Sequence, residues 1–139
     1  MLTREEKAIL ELCNRERAKK KLPPLEPNAE LTEAARKHST KMARRNKLSH
    51  KLDGKTVAER VRDAGGRQVW LGENIAVGAR SPGEVVTVWM KSRGHRENIL
   101  DKHYTEIGIG IHIGQRGRKF YTQVFAAPYQ QIGRNRPDR

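Results

Sequence analysis

Three short stretches carry side chains able to do chemistry: LSH (Leu48 to His50), GEN (Gly72 to Asn74) and WMKSRGHRENIL (Trp89 to Leu100). Their candidates are His50, Glu73 and His95, with Ser92 three residues before the second histidine. Two imidazoles and a carboxylate, if brought together, permit three kinds of work. Neutral ring nitrogens and a carboxylate oxygen can ligate a divalent cation, with water completing the shell. A carboxylate can orient an imidazole that activates water. The three can also form a polar recognition patch for a ligand. Ser92 next to His95 adds a nucleophile and a base, although no oxyanion hole is visible and nucleophilic serines usually occupy strained turns. Each residue also has a plainer reading. His50 lies between polar flanks and reads as a loop histidine. His95 follows a helix break and can cap a helix end. Glu73 can pin a loop by accepting backbone amides. Its neighbours Trp70, Leu71, Ile75, Ala76 and Val77 are apolar, so its carboxylate needs a partner, and a histidine would supply one.

The elements that must position these residues follow from periodicity and capping. Thr3 and Glu6 form a capping box for a first helix whose inner face carries Ile9, Leu12, Cys13 and Glu16, the apolar stripe weakening toward Arg17. The paired prolines in KKKLPPLEPN end it. Asn28 caps a second helix with Leu31, Ala34, Ala35, His38 and Met42 on its buried face, so His38 reads as a core histidine satisfied by a hydrogen bond. Asp53-Gly54 marks a turn. Thr56 and Glu59 box a short helix with Val57, Val61 and Ala64 inward, ended by Gly65-Gly66. A short strand is expected from Gln68 to Leu71, leading into GEN, and a third sheet strand within residues 67–78, with Asn74 ordering the GEN loop. Ser81-Pro82-Gly83-Glu84 opens a helix with Val85, Val88, Trp89 and Ser92 on one face, and Arg93-Gly94 stops it. His95 then sits at the mouth of a new turn from Arg96 to Leu100. Residues 107–113 alternate isoleucine with glycine or histidine, which predicts a strand with a helix pressed against Gly108 and Gly110. His112 shares that glycine face and reads as structural or exposed. Gly114 to Gly117 is a hairpin connection, and Phe120 to Ala126 is the returning strand, ended by Pro128.

Composition bounds the rest. A chain of 139 residues suits one domain and one sizeable core. We expect it over residues 1–130, followed by a frayed basic tail over 131–139. No apolar run is long enough to span a bilayer. Cys13 is the only cysteine, which excludes an internal disulfide and a cysteine-based zinc site. The formal charge is +13, from 29 Lys and Arg against 16 Asp and Glu. That balance favours polyanions such as an anionic surface or acidic wall polymer. The cations are spread along the chain, with clusters at Arg17 to Lys21, Arg44 to Lys47 and Arg116 to Lys119, and no nucleic-acid motif accompanies them. The general reading is a solvated basic surface, with no specific nucleic-acid partner.

In order, LSH, LGENIAVG (Leu71 to Gly78), WMKSRGHRENIL, EIGIG (Glu106 to Gly110) and YTQVFAA (Tyr121 to Ala127) resemble the CAP superfamily of cysteine-rich secretory, antigen and pathogenesis-related proteins. The bacterial branch, the SCP-like extracellular proteins, fits better, and NRERAKKKLPPL (Asn14 to Leu25) is similar to its opening. The resemblance runs from about Glu6 to Pro128. It implies a fold of class α+β: a three-layer α-β-α sandwich with a central, mainly antiparallel sheet. It also implies that His50, Glu73 and His95 line one pocket, with His38 close beneath. His50 and His95 would be the ligands of Zn2+ or another divalent cation, held weakly because two histidines fall short of a structural zinc site. The family's second pocket acid falls at Ser92 here, which leaves its four-residue constellation incomplete. The implied role is an extracellular or cell-envelope module that binds a small molecule, lipid or peptide in its cleft. The alternatives are a metal-assisted hydrolase using His50, Glu73 and His95, and a basic polyanion or wall binder. A monomer is expected. The start, MLTREEK, is polar and unlike an export leader, so an export signal would lie outside this sequence.

Overall fold

Thr3 starts α1 (Arg4–Lys19): its hydroxyl accepts the Glu6 amide and the Glu6 carboxylate accepts the Thr3 amide. This reciprocal arrangement satisfies two of the amides a helix start leaves free. The computed structural model describes residues 1–128, so the basic tail expected over 131–139 lies outside the described residues. α1 buries Ile9, Leu10 and Cys13, and its stripe does not weaken at Arg17, which is only 1% exposed. The Arg17 guanidinium donates to the carbonyls of Pro23, Ile99, Asp101 and Tyr104 at 2.9 to 3.2 Å. Four carbonyl oxygens thus stand in for water around a buried charge. The Cys13 thiol is buried as expected, and burial pushes its pKa up to about 12.

β1 (Glu26–Pro27) is too short to show a period and escapes sequence reasoning. α2 (Ala29–Arg45) begins at Asn28, whose side chain accepts the Leu31 amide, and ends at Asn46 in the left-handed conformation. Leu31, Ala34, Ala35, His38 and Met42 are buried along it, as the spacing predicts. α3 (Val57–Asp63) carries the expected Thr56/Glu59 box and buries Val61. β2 (Leu71–Val77) contains the GEN motif itself rather than following a strand over 68–71. Continuous pairing with β4 (Lys119–Ala126), from Leu71 opposite Ala126 to Val77 opposite Phe120, holds Glu73 and Asn74 in a strand and not a loop. β3 (Glu106–Ile113) also runs antiparallel to β4, and β1 pairs with β3 in parallel, giving the order β1-β3-β4-β2.

Gly108 and Gly110 set the distance between α2 and this sheet. A Cβ on Gly108 would lie 2.0 Å from the Leu31 carbonyl carbon, and one on Gly110 would lie 2.3 Å from the Arg36 amide nitrogen. The helix backbone therefore rests on the strand backbone, the close approach that alternating glycines predict.

α4 (Pro82–Lys91) is capped by Ser81 with Pro82 at its first position. It buries Val85, Val86 and Trp89; Val88, expected inside, is 50% exposed. The inner face is turned toward α1, so Val86 takes the place given to Val88. The helix break also differs from expectation. Ser92, extended at φ −103° and ψ 125°, separates α4 from α5 (Arg93–Ile99), and Gly94 lies inside α5. α1, α4 and α5 cover one sheet face around Trp89, Ile107, Ile109, Tyr121 and Phe125. α2 and α3 cover the other around Leu31, Val61, Val124 and Phe120. The architecture is the α-β-α sandwich expected, with a mixed four-stranded sheet.

Candidate functional site

The site forms along β2, the last strand of the sheet, where both helical layers reach past the sheet edge. Successive strand residues face opposite sides. Glu73 and Ile75 therefore look toward the α2–α3 layer, whereas Asn74 looks toward α5. Among the described residues the outer carbonyls of β2 have no further strand to bond. Instead Asn98 Nδ2 donates to the Glu73 carbonyl at 3.3 Å, and Trp89 Nε1 donates to the Ile75 carbonyl at 3.1 Å. WMKSRGHRENIL thus closes the sheet edge with two side chains, the role of an edge-protecting strand.

On the α2–α3 side, the Glu73 carboxylate is buried and fully engaged. His50 Nδ1 lies 2.9 Å from its Oε1. Arg60 of α3 donates from Nη1 to Oε2 at 2.7 Å and from Nη2 to Oε1 at 3.1 Å. Arg60 Nη2 also donates to the His50 carbonyl at 2.6 Å, so one guanidinium fixes both the carboxylate and the loop that delivers the histidine. Burial pushes the Glu73 pKa up, but hydrogen bonds from His50 and Arg60 and the guanidinium charge hold it below its ordinary value. It is an anion that orients its neighbours. His50 leans outward, its side chain 61% exposed. The Glu73 hydrogen bond raises its pKa. With Nδ1–H committed to Glu73, the neutral ring leaves Nε2 as a lone-pair donor. A carboxylate on the far nitrogen is the usual arrangement behind a metal-ligating histidine.

On the other side, Asn74 Nδ2 donates to the His95 carbonyl and to Gln123 Oε1, both at 3.1 Å, while Asn74 Oδ1 accepts from Asn98 at 2.9 Å. Asn74 therefore ties β2 to α5 instead of ordering a loop. His95 sits in the first turn of α5, with Nδ1 2.9 Å from Ser92 Oγ. Ser92 makes no side-chain cap to the α5 backbone, so its hydroxyl serves the histidine. Burial lowers the His95 pKa, and His50 is near enough that its charge lowers it further. His95 is the neutral ring at physiological pH.

The structure joins the sequence-predicted residues in two pairs, Glu73 with His50 and Ser92 with His95, and the charge of His50 lowers the His95 pKa. His38 lies beneath, its Nε2 2.7 Å from the Ser49 carbonyl in the segment that carries His50. His112 is apart, against Thr40 at 3.2 Å. Sequence reasoning missed Arg60, Asn98 and Gln123. For Arg60 the signal was present: residues 57, 60, 61 and 64 form one helical face, and an arginine on an inward face needs an anion. Among the described residues, no three His, Cys, Asp or Glu side chains are grouped to hold a metal ion. Any cation here would rest on Nε2 of His50 and Nε2 of His95, with water or a ligand filling the remaining positions. The donors suit a divalent ion, but their number makes it exchangeable.

The comparisons agree with this fold. The Bacillus subtilis (strain 168) protein YkwD, described as uncharacterized, is 40% identical over 106 residues, covering 76% of this chain and 41% of that protein. An extracellular protein containing a SCP domain from Bacillus anthracis superposes with a TM-score of 0.83 at 30% identity, over 89% of this chain and 40% of that chain. An outer surface protein from Borrelia burgdorferi shares the fold at 22% identity and a TM-score of 0.83, covering 91% of this chain and 96% of that one. The chain spans about two fifths of the length of the Bacillus relatives it matches. Residues 10–125 match the CAP family, the Cysteine-rich secretory protein family, and with most of its length matched this chain belongs to that family.

Proposed function

We propose that this CAP domain is an extracellular or cell-envelope binding module whose cleft takes a divalent cation, such as Zn2+, at His50 and His95. The vacant positions of the cation's shell would then be available to a ligand. The observation that carries the reading is the full engagement of Glu73. Three hydrogen bonds, two of them from Arg60, remove it as a general base and leave it to orient His50. When bound, the cation supplies a Lewis-acidic point for oxygen or nitrogen groups of the ligand. His50 and His95 would hold it, Glu73 and Ser92 would fix the two ring orientations, and Arg60 would keep Glu73 in place. A hydrolase is the second reading, favoured by the Ser92–His95 contact. Against it, Ser92 has an ordinary extended backbone, without the strain of a nucleophile turn. The Bacillus anthracis relative, itself an extracellular protein by description, supports the location.

Zinc calorimetry tests the proposal. The wild type is expected to bind one ion weakly, and His50→Ala or His95→Ala to remove the binding. Glu73→Gln should weaken it by about 10- to 100-fold, the usual effect of losing a carboxylate behind a ligating histidine. Zinc binding that survives both histidine substitutions overturns the assignment. Turnover of a peptide panel that is lost in Ser92→Ala would favour the hydrolase.

A further inference from the structure

The fold joins two basic clusters whose contacting residues lie 72 positions apart in sequence. α2 ends at Asn46, and the turn between β3 and β4, residues 114–118, packs against that end. A Cβ on Gly114 would lie 3.3 Å from Ala43 Cβ, and Arg118 Nη2 donates to Asn46 Oδ1. Arg44 to Lys47 and Arg116 to Lys119 therefore share one surface at an end of the sandwich. Carboxylates neutralise only part of it: Asp53 meets Arg45 at 2.6 Å and Glu5 meets Lys119 at 2.7 Å. Arg44, Lys47, Arg116 and Arg118 are exposed and have no carboxylate partner among the described residues. Asn46 and the Phe120 ring, 5.7 Å from the guanidinium carbon, hold Arg118 in place. An open hollow of about 320 Å³ lies between α2 and the turn, lined by Asn46, Gln115, Arg116 and Arg118. Two apolar side chains border the cations. Ile113, just before the turn, is 60% exposed, and Leu48, just after Lys47, is 46% exposed.

We propose that this end of the domain docks on an anionic phospholipid bilayer. The hollow takes a lipid headgroup. Its two guanidinium groups offer paired N–H donors that match a phosphate, and the Asn46 and Gln115 amides add partners for headgroup hydroxyls. Arg44 and Lys47 meet the neighbouring headgroups. Ile113 and Leu48 favour a bilayer over a soluble polyanion. An acidic polymer offers an exposed isoleucine nothing apolar to cover it, whereas the boundary between headgroups and acyl chains does. Each basic residue held near an anionic membrane surface adds about fivefold in affinity, equivalent to about 1 kcal/mol. The four unpaired cations together therefore supply roughly several-hundredfold, enough for reversible attachment at the surface. No helix among the described residues is long and apolar enough to cross a membrane, so the contact is peripheral.

The full chain is mixed, in metal-free buffer at physiological salt, with vesicles of phosphatidylcholine or of phosphatidylcholine and phosphatidylglycerol in equal parts, and binding is read by co-sedimentation. Binding should require phosphatidylglycerol and weaken as salt rises. Lys47→Ala with Arg116→Ala should weaken it about 25-fold. Arg15→Ala with Lys20→Ala removes the same charge from exposed positions at the other end of α1. Glu5, near the start of α1, meets Lys119, whereas Arg17, near its end, meets the Tyr104 carbonyl. That second pair should change binding by less than about twofold, because screening confines attraction to nearby charges. Ile113→Ser should weaken vesicle binding several-fold. His50→Ala with His95→Ala should leave it unchanged; a loss there would trace the binding to the cation site and overturn the proposal. Equal losses from the two charge-removing pairs would assign diffuse attraction by net charge. Binding of soluble polyphosphate without binding of vesicles would assign a soluble polyanion. Either outcome overturns the proposal, as does unaltered affinity in Ile113→Ser or no binding to the phosphatidylglycerol vesicles.

Discussion

Replacing Glu73 by glutamine removes one charge from the most buried ion pair of the site. The Arg60 and Glu73 side chains are 10% and 3% exposed and meet through two hydrogen bonds. Removing one partner of such a pair generally costs about 3–5 kcal/mol, because the other charge stays buried. Glutamine keeps one acceptor but sets an amide NH2 against a donor. The lower end, about 3 kcal/mol at pH 7, is therefore expected. With an unfolding entropy of about 2.1 cal/mol/K per residue, the 139-residue chain should lose about 10 °C in Tm. The pH dependence follows from the depressed Glu73 pKa. Its stabilisation is complete above the ordinary value of 4.5 and is lost as pH falls through the lower folded value. Glutamine does not titrate, so the gap between wild type and variant should close in acid. His50 acts in the opposite sense. Its pKa is raised, so its contribution is complete below 6.5 and fades as pH rises through the folded value. Exposure keeps that second contribution small. Urea unfolding from pH 3 to pH 8 measures both slopes. Arg60→Met added to Glu73→Gln removes the orphaned charge, so the double variant should be more stable than the sum of the two single losses allows. A loss below about 1 kcal/mol in Glu73→Gln at pH 7, or strict additivity with Arg60→Met, would refute the view that this pair organises the site.

The two glycine environments give opposite expectations. Gly110→Ala forces a Cβ to within 2.3 Å of the Arg36 backbone, so α2 must lift off the sheet, at a cost of about 2 kcal/mol or more. Gly94, inside α5 with open space around its Cβ position, should gain about 0.5–1 kcal/mol on substitution by alanine. Thermal unfolding of the two variants side by side checks the contrast. Arg17→Met keeps the length of the side chain but leaves the Pro23, Ile99, Asp101 and Tyr104 carbonyls without their donor. A loss of about 3 kcal/mol in urea unfolding is expected, and a loss within about 0.5 kcal/mol, the scatter of surface changes, would mean that water replaces the guanidinium.

Much of the fold was legible because it rests on local signals. Thr3, Asn28, Thr56 and Ser81 cap the helices that their positions announce, and the Gly108/Gly110 alternation announces the close contact with α2. The failures occur where partners distant in sequence override local preference. GEN reads as a loop until β4 pairs with it. Arg17 reads as the polar end of a stripe until four carbonyls, three of them about 80 residues away, surround it. Gly94 reads as a helix stop, but Ser92 makes the break and turns its hydroxyl to His95. At the candidate site, the order of the motifs singled out His50, Glu73 and His95, and the structure joins the first two. Arg60 was passed over because a charged residue on a short helix is normally a solvated one.

Arg60 changes what those three residues can do. Glu73 without it would be a buried carboxylate with one exposed histidine, a pair suited to taking up protons near neutrality. With it, Glu73 is held anionic below its ordinary range, and its negative charge is offset by a guanidinium within hydrogen-bonding distance. A divalent cation approaching His50 Nε2 therefore meets little net attraction from the carboxylate behind the ring. It must also displace the proton that Glu73 stabilises on that ring. Both effects weaken binding, and the second fades as pH rises. Zinc affinity at His50 and His95 should accordingly climb with pH until His50 is neutral, then level off. The same wiring suits a reversible ligand-binding cleft better than a hydrolytic centre, which needs a base free to accept protons and a cation held through every turnover.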